Sequence, residues 1–280
     1  EKASICEGLE PNGAAILNGD IATFPILCAA ADKAGAQITS FGESEGVTDR
    51  LTSIRMSRDL TIGQARVAET DLIFKLASPG RHFATNAVGC LAVVAALDLD
   101  LALAAQDLGR WAPPMGRGTI ERYSLDPINE HLSFELIDDA YNANPTSMSA
   151  ALEVLAAIDP IDGIGRISKG RRIAILGDML ELGPEENALH GAIADHPGLA
   201  KLAKIHTVGP RMAHLRDALP LHQRGEWVET ADELTGRVHH LIDAGDVVLV
   251  KGSLGSKVST LVDAIRKLGH PLPPEHEENA

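Results

Sequence analysis

Val247-Val248-Leu249-Val250 is apolar without a polar break. A strand with one wet face alternates, so an unbroken run belongs to a strand covered on both faces, the situation of a parallel sheet between helices. The rest of the second half agrees. From about Thr119 onward, strand-like runs at 120–124, 132–137, 172–176, 204–208 and 246–251 alternate with helical runs at 146–158, 186–194, 211–218, 231–242 and 256–268. Short connections between alternating elements predict an α/β class and a complete Rossmann-like domain with a mostly parallel sheet.

The first half is less regular. Residues 14–17 and 71–76 read as strands, and 82–97 and 101–111 as helices joined by Asp98-Leu99-Asp100. Pro113-Pro114-Met115-Gly116 breaks the chain, which predicts one domain over 1–115 and a second over 116–270. The polar, proline-rich run 271–280 is expected to be a disordered tail. Glu1-Lys2-Ala3-Ser4-Ile5 reads as the middle of a helix with no cap, so the chain is expected to be a piece of a longer protein.

Composition narrows the function classes. With 280 residues, 45% of them hydrophobic, the chain can bury sizeable cores. Its formal net charge is −14, and its basic residues form no block beyond Lys169-Gly170-Arg171-Arg172, so nucleic acid is not an expected partner. The longest apolar-plus-glycine run, 88–97, is half a membrane span, which argues against a membrane partner and for a cytoplasmic protein. Cys6, Cys28 and Cys90 are far apart among apolar neighbours and are expected to be reduced core thiols. Eleven histidines show no HxH or HExxH spacing. There is no GxSxG, so a serine hydrolase is unsupported.

Chemistry concentrates at the strand ends. Asp138-Asp139-Ala140-Tyr141-Asn142-Ala143-Asn144 follows a strand-like run and opens a helix. Asn144 is a good N-cap, and Pro145 suits the first helical position because it has no N–H to leave unpaired. A structural turn needs one such residue, not two carboxylates, two amides and a phenol. Gly177-Asp178-Met179-Leu180-Glu181-Leu182-Gly183, Gly209-Pro210-Arg211 and Lys251-Gly252-Ser253 follow other strands. Gly209-Pro210-Arg211 reads as an ordinary turn, and each of the others alone is compatible with a solvated loop. In a parallel sheet, though, all fall on the carboxyl edge, where open α/β sheets bind ligands. Lys251 before Gly-Ser at a helix start suits an anion. Gly252 to Lys257 is no nucleotide phosphate loop, because the spacing is too short and Val258 stands where Ser or Thr would hold magnesium. In the first half, the Asn86 amide can read an adenine edge with one donor and one acceptor. Arg117, just past the break, is placed to reach a phosphate.

Six runs, in order, resemble the Mur ligases: LEPNGAAILNGD (9–20), PGRHFATNAVGCLAVVAAL (79–97), PPMGRGTIERY (113–123), DDAYNANPTSMSAALEVL (138–155), ILGDMLELGPEENALHG (175–191) and VLVKGSLGSKV (248–258). DDAYNANP with GDMLELG points to the branch that adds D-alanyl-D-alanine to UDP-N-acetylmuramoyl-tripeptide. The resemblance implies a central ATPase domain, present here in part, followed by the C-terminal domain, in a protein expected to be a monomer. It implies ATP and Mg2+ as cofactors and amide bond formation in peptidoglycan synthesis. ATP phosphorylates the tripeptide carboxylate, and the dipeptide amine attacks the acyl phosphate.

Carried over by position, Asn86 is similar to the family's adenine-contacting Asn. Arg117 and Asp139 are similar to its nucleotide-gripping pair. Asn142, Asn144, Gly177, Asp178, Glu181, Lys251 and Ser253 match positions around the dipeptide or tripeptide end. Lys2 matches a lysine that is carbamylated and helps hold magnesium; it also reads simply as a terminal lysine. Phe83 follows His82 where the family commonly has Asn. The 280 residues contain no GxxxxGKS/T loop and none of the magnesium-binding Glu and His that the family places upstream of Lys2. The chain alone is therefore expected to be inactive. A second reading is a non-catalytic nucleotide- or peptide-binding module derived from such a ligase.

Overall fold

A computed structural model describes residues 2–10, 12–58 and 60–273. The chain folds as two compact units that divide between Ala112 and Pro113.

In the first unit a 3-10 run, Lys2–Gly8, precedes β1 (Ala14–Asn18), α1 (Phe24–Lys33), β2 (Gln37–Gly42) and β3 (Asp49–Met56). Then come β4 (Thr61–Val67), β5 (Thr70–Leu76), α2 (Arg81–Ala96) and α3 (Leu101–Asp107). The five strands form one sheet in chain order, parallel from β1 to β3 and antiparallel from β3 to β5. Ala84, Ala87, Val88 and Leu91 of α2 pack with Leu51, Ala65, Val67 and Phe74 on one face of it. Sequence pattern finds β1 and β5 but not α1, β2, β3 or β4. The reason is visible in β4, whose buried residues are Thr61, Gly63, Ala65 and Val67 while Ile62 faces out. Small or polar residues inside and an isoleucine outside erase the hydrophobic contrast on which alternation depends.

The second unit runs β6 (Thr119–Ser124), β7 (Ser133–Asp139), α4 (Pro145–Ala157), β8 (Arg172–Gly177), α5 (Glu186–Ala192), β9 (Lys204–Val208), α6 (Ala213–Ala218) and β10 (Arg224–Val228). It closes with α7 (Asp232–Thr235), α8 (Val238–Leu241), β11 (Val247–Lys251), α9 (Ser259–Arg266) and β12 (His270–Leu272). Its seven-stranded sheet has the order β10-β9-β8-β11-β7-β6-β12. The pairings from β10 to β7 are parallel, and β6 and β12 add antiparallel edges. Val247 and Leu249 lie in the core with Met148, Leu152 and Leu155 of α4; Val248 and Val250 lie in the core with Leu261, Val262 and Ile265 of α9. Two covered faces are what the unbroken apolar run requires, and burial of each such side chain is worth roughly 1.5–3 kcal/mol.

Three expectations need correction. The helix expected over 231–242 is two separate turns, α7 and α8, with Gly236 between them, where a glycine weakens helix continuity. The disordered tail expected over 271–280 is wrong for its first residues, because Pro271 and Leu272 pair with Tyr123 and Arg122. A proline is tolerated there since β12 is an edge strand. Residues 274–280 lie outside the described residues. Cys6 is buried, but Cys28 is half-buried and Cys90 exposed, so only one of the three is a core thiol. In alanine-rich helices such as these, apolar neighbours do not say which face a side chain takes. Among the described residues no helix is long and apolar enough to cross a membrane.

Candidate functional site

Parallel register gathers the polar corners. Lys251 stands opposite Asp139 on β7 and opposite Leu176 on β8, and Gly177 stands opposite Val208 on β9. The turns after all four strands therefore share the carboxyl edge of the sheet.

Hydrogen bonds tie these turns together. Lys251 Nζ donates to Asp139 Oδ2 at 2.7 Å and to the Asn142 carbonyl at 2.8 Å. The Ser253 hydroxyl accepts the Leu180 N–H at 2.9 Å and donates to the Ala143 carbonyl at 3.3 Å. The Ser253 N–H donates to the Asp178 carbonyl at 3.1 Å. Gly177 lets the loop approach: a Cβ there would lie 2.5 Å from Val258 Cγ1 and 2.8 Å from Ser256 Oγ.

Three residues expected as ligand contacts, Asp178, Lys251 and Ser253, are buried and already have partners in the fold. Asp178 is 4% exposed, and its carboxylate accepts from the Met212 N–H at 3.0 Å and from Arg211 Nη1 at 3.3 Å. Lys251 is 1% exposed. The Asn144 side-chain Oδ1 caps α4 by accepting the Ser147 N–H at 2.8 Å, while Ser147 Oγ accepts the Asn144 N–H, a capping box. Asn142, Glu181 and Arg117 are exposed. Glu181 sits at φ 62°, a left-handed backbone unusual for a non-glycine residue and costing on the order of 1 kcal/mol. The Arg117 guanidinium lies 4.5 Å above the Tyr141 ring. Asn86 on α2 and Lys2 in the 3-10 run are exposed and belong to the first unit.

Burial governs the charges of the rim. It pushes the Asp139 carboxyl above the usual carboxylate range, against the pull of Lys251, and pushes the Lys251 ammonium below the usual lysine range. Burial likewise raises Asp138, although Arg266 Nη2 reaches its Oδ2 at 2.9 Å. Arg266 also donates from Nε to Glu121 at 2.9 Å, and Tyr123 donates its hydroxyl to the same carboxylate. The result is a carboxylate, Asp139, poised between a buried cation and the exposed Arg117.

Sequence reasoning missed two supports. His190 on α5 is fully buried; its Nε2 accepts the Met179 N–H at 2.9 Å, so its Nδ1 carries the proton donated to the Glu186 carbonyl. It holds the loop after β8 from below. Arg266 reaches β7 and β6 from α9, 128 residues beyond Asp138. No local pattern signals either one, because both partners are chosen by packing.

Comparison with known proteins gives a consistent result. Residues 1–94 match the Mur ligase middle domain, and residues 125–254 match the Mur ligase, glutamate ligase domain. The UDP-N-acetylmuramoyl-tripeptide–D-alanyl-D-alanine ligase of Rickettsia prowazekii is 29% identical over 263 residues, which are 94% of this chain and 55% of that protein. A crystal structure of MurF from Acinetobacter baumannii aligns with TM-score 0.76 and 25% identity over 95% of this chain and 54% of its own. The MurF ligase of Thermotoga maritima in complex with ADP shares the fold, with TM-score 0.74 at 19% identity over 95% of this chain and 56% of its own. The chain thus spans about half the length of the curated relatives it matches. Matched in both halves by domains of one family, the chain belongs to the Mur ligases.

Proposed function

We propose that this chain forms the amine-accepting part and a portion of the nucleotide-binding part of an ATP-dependent ligase. That ligase joins D-alanyl-D-alanine to UDP-N-acetylmuramoyl-tripeptide in the cytoplasm and acts as a monomer. The observation that carries the reading is the rim itself. Asp139, the 177–183 loop and the Lys251–Ser253 turn share one sheet edge, in a chain whose relatives bear that name.

A carboxylate is a poor electrophile, and ATP supplies the phosphoryl group that turns it into an acyl phosphate. The exposed Asn86 amide suits an adenine edge, and the exposed Arg117 suits a phosphate. The exposed Asn142 and Glu181 offer acceptors and a donor to an amine and a carboxylate terminus, and the buried Ser253 ties the surrounding turns together. Gly177, Asp178 and Asn144 shape the turns that present them. Mg2+ fits less well: among the described residues no group of three or more His, Cys, Asp or Glu side chains can hold a metal ion. Lys2, the candidate carbamate, has no such donor set around it among the described residues.

The test follows phosphate release that depends jointly on ATP, D-alanyl-D-alanine and the UDP-linked tripeptide. Two samples are compared: the 280-residue chain, and the longest product of the reading frame that encodes it. Turnover is expected in the longer product and not in the chain alone. A longer product that binds nucleotide but releases no phosphate would favour the non-catalytic module, and preference for another amine would remove the dipeptide assignment.

A further inference from the structure

An ammonium as buried as that of Lys251 is costly to take out of water unless it is paired. An apolar residue continuing the Val247–Val250 run would avoid that cost. Two of the three N–H donors are committed, one to Asp139 Oδ2 and one to the Asn142 carbonyl. With 1% exposure, the group is closed to a ligand arriving from solvent. Asp139 is reached by two other charged groups: Asp138 beside it, itself held by Arg266, and the exposed Arg117.

Building on the ligase reading, we infer that Lys251 is a positioning residue: it fixes the Asp139 carboxylate and the 140–142 turn in one arrangement and does not touch substrate. The bonds explain the choice of lysine. One cation joins a strand end to a backbone carbonyl three residues further on, bridging β11 to the turn that leads into α4. It leaves Asp139 Oδ1 without a hydrogen bond among the described residues, open for the nucleotide end. The two shifts, Asp139 up and Lys251 down, report burial, which outweighs the contact; the contact itself pulls Asp139 down and Lys251 up.

Two measurements test this. In the longest product of the reading frame, Lys251→Met is expected to lower kcat about 30-fold while KM for D-alanyl-D-alanine moves less than about threefold, with partial recovery in Lys251→Arg. A KM rise of about tenfold with kcat kept would make Lys251 a dipeptide contact and overturn the proposal. Unchanged kinetics in Lys251→Met would overturn it as well. The second measurement needs no turnover. In the 280-residue chain, carbon-13 NMR of the Asp139 carboxyl, assigned with Asp139→Asn, is expected to titrate about one pH unit higher in Lys251→Met. An unmoved midpoint overturns the proposal. Should Lys251→Met fail to fold, Lys251→Gln, which also removes the charge, carries both readouts. If the wild-type product forms no amide, the ligase reading fails by itself, and the NMR result still decides the role of Lys251.

Discussion

His206 shows how a single side chain couples this fold to pH. It is 5% exposed on β9, and its Nδ1 accepts the Glu226 N–H at 3.0 Å, so protonation there breaks a bond between β9 and β10. Burial, helped by the nearby charges of Lys204 and Arg171, lowers its pKa from 6.5 to about 4. The folded value lies below the unfolded one, so between those pH values the unfolded chain binds more protons. Stability therefore falls as pH drops through that window, by about 3 kcal/mol at its lower end. Urea titrations at several pH values should show this slope in the wild type and lose it in His206→Gln. An equally steep decline in the variant would assign the effect to other groups. Lys251 and Asp178 teach the complementary lesson. Their identities in the sequence suggest ligand contacts, but burial and partners give them internal work, and nothing local distinguishes the two uses.

Among the elements, α4 is the best specified by sequence. Asn144, Pro145 and Ser147 supply an N-cap, a first-turn proline and the return bond of a capping box, all within four positions. Asn144→Ala should cost about 1 kcal/mol by thermal or urea unfolding, and Asn144→Asp should retain most of that. The pair also separates cap from chemistry. Loss of activity in Asn144→Asp at unchanged stability would give Asn144 a ligand contact beyond its cap, whereas full activity would leave it a structural residue. By contrast, β10 (Arg-Gly-Glu-Trp-Val) was invisible in the sequence, since glycine and two charges interrupt it and it lies at a sheet edge where only one neighbour strand constrains it. α9 starts three residues later than its apolar pattern suggests, because Lys257 takes a left-handed turn, at φ 55°, that composition does not announce.

At the scale of the whole molecule the two units differ in how they bury their sheets. The second has a buried cluster on each face of seven strands. The first exposes Ile62 at 39% and Ile73 at 68% from adjacent strands of its sheet, and its apolar core is the smaller. Apolar burial is the dominant favourable term, so the first unit should open at lower free energy. Limited proteolysis should cut within 1–112 first and leave a resistant fragment beginning near residue 113. Early loss of the second unit with survival of the first would contradict this ranking.

By itself the sequence determined the alternating architecture of the second unit, the parallel sense of its central strands and the edge on which its polar turns collect. Those properties follow from periodicity, apolar continuity and turn chemistry, which act over a few neighbouring residues. Tertiary structure alone decided that Lys251 faces Asp139, that Arg266 reaches Asp138 and that His190 holds the Met179 backbone. Each of those pairings joins residues distant along the chain, and burial, which no short stretch encodes, sets both their partners and their charge.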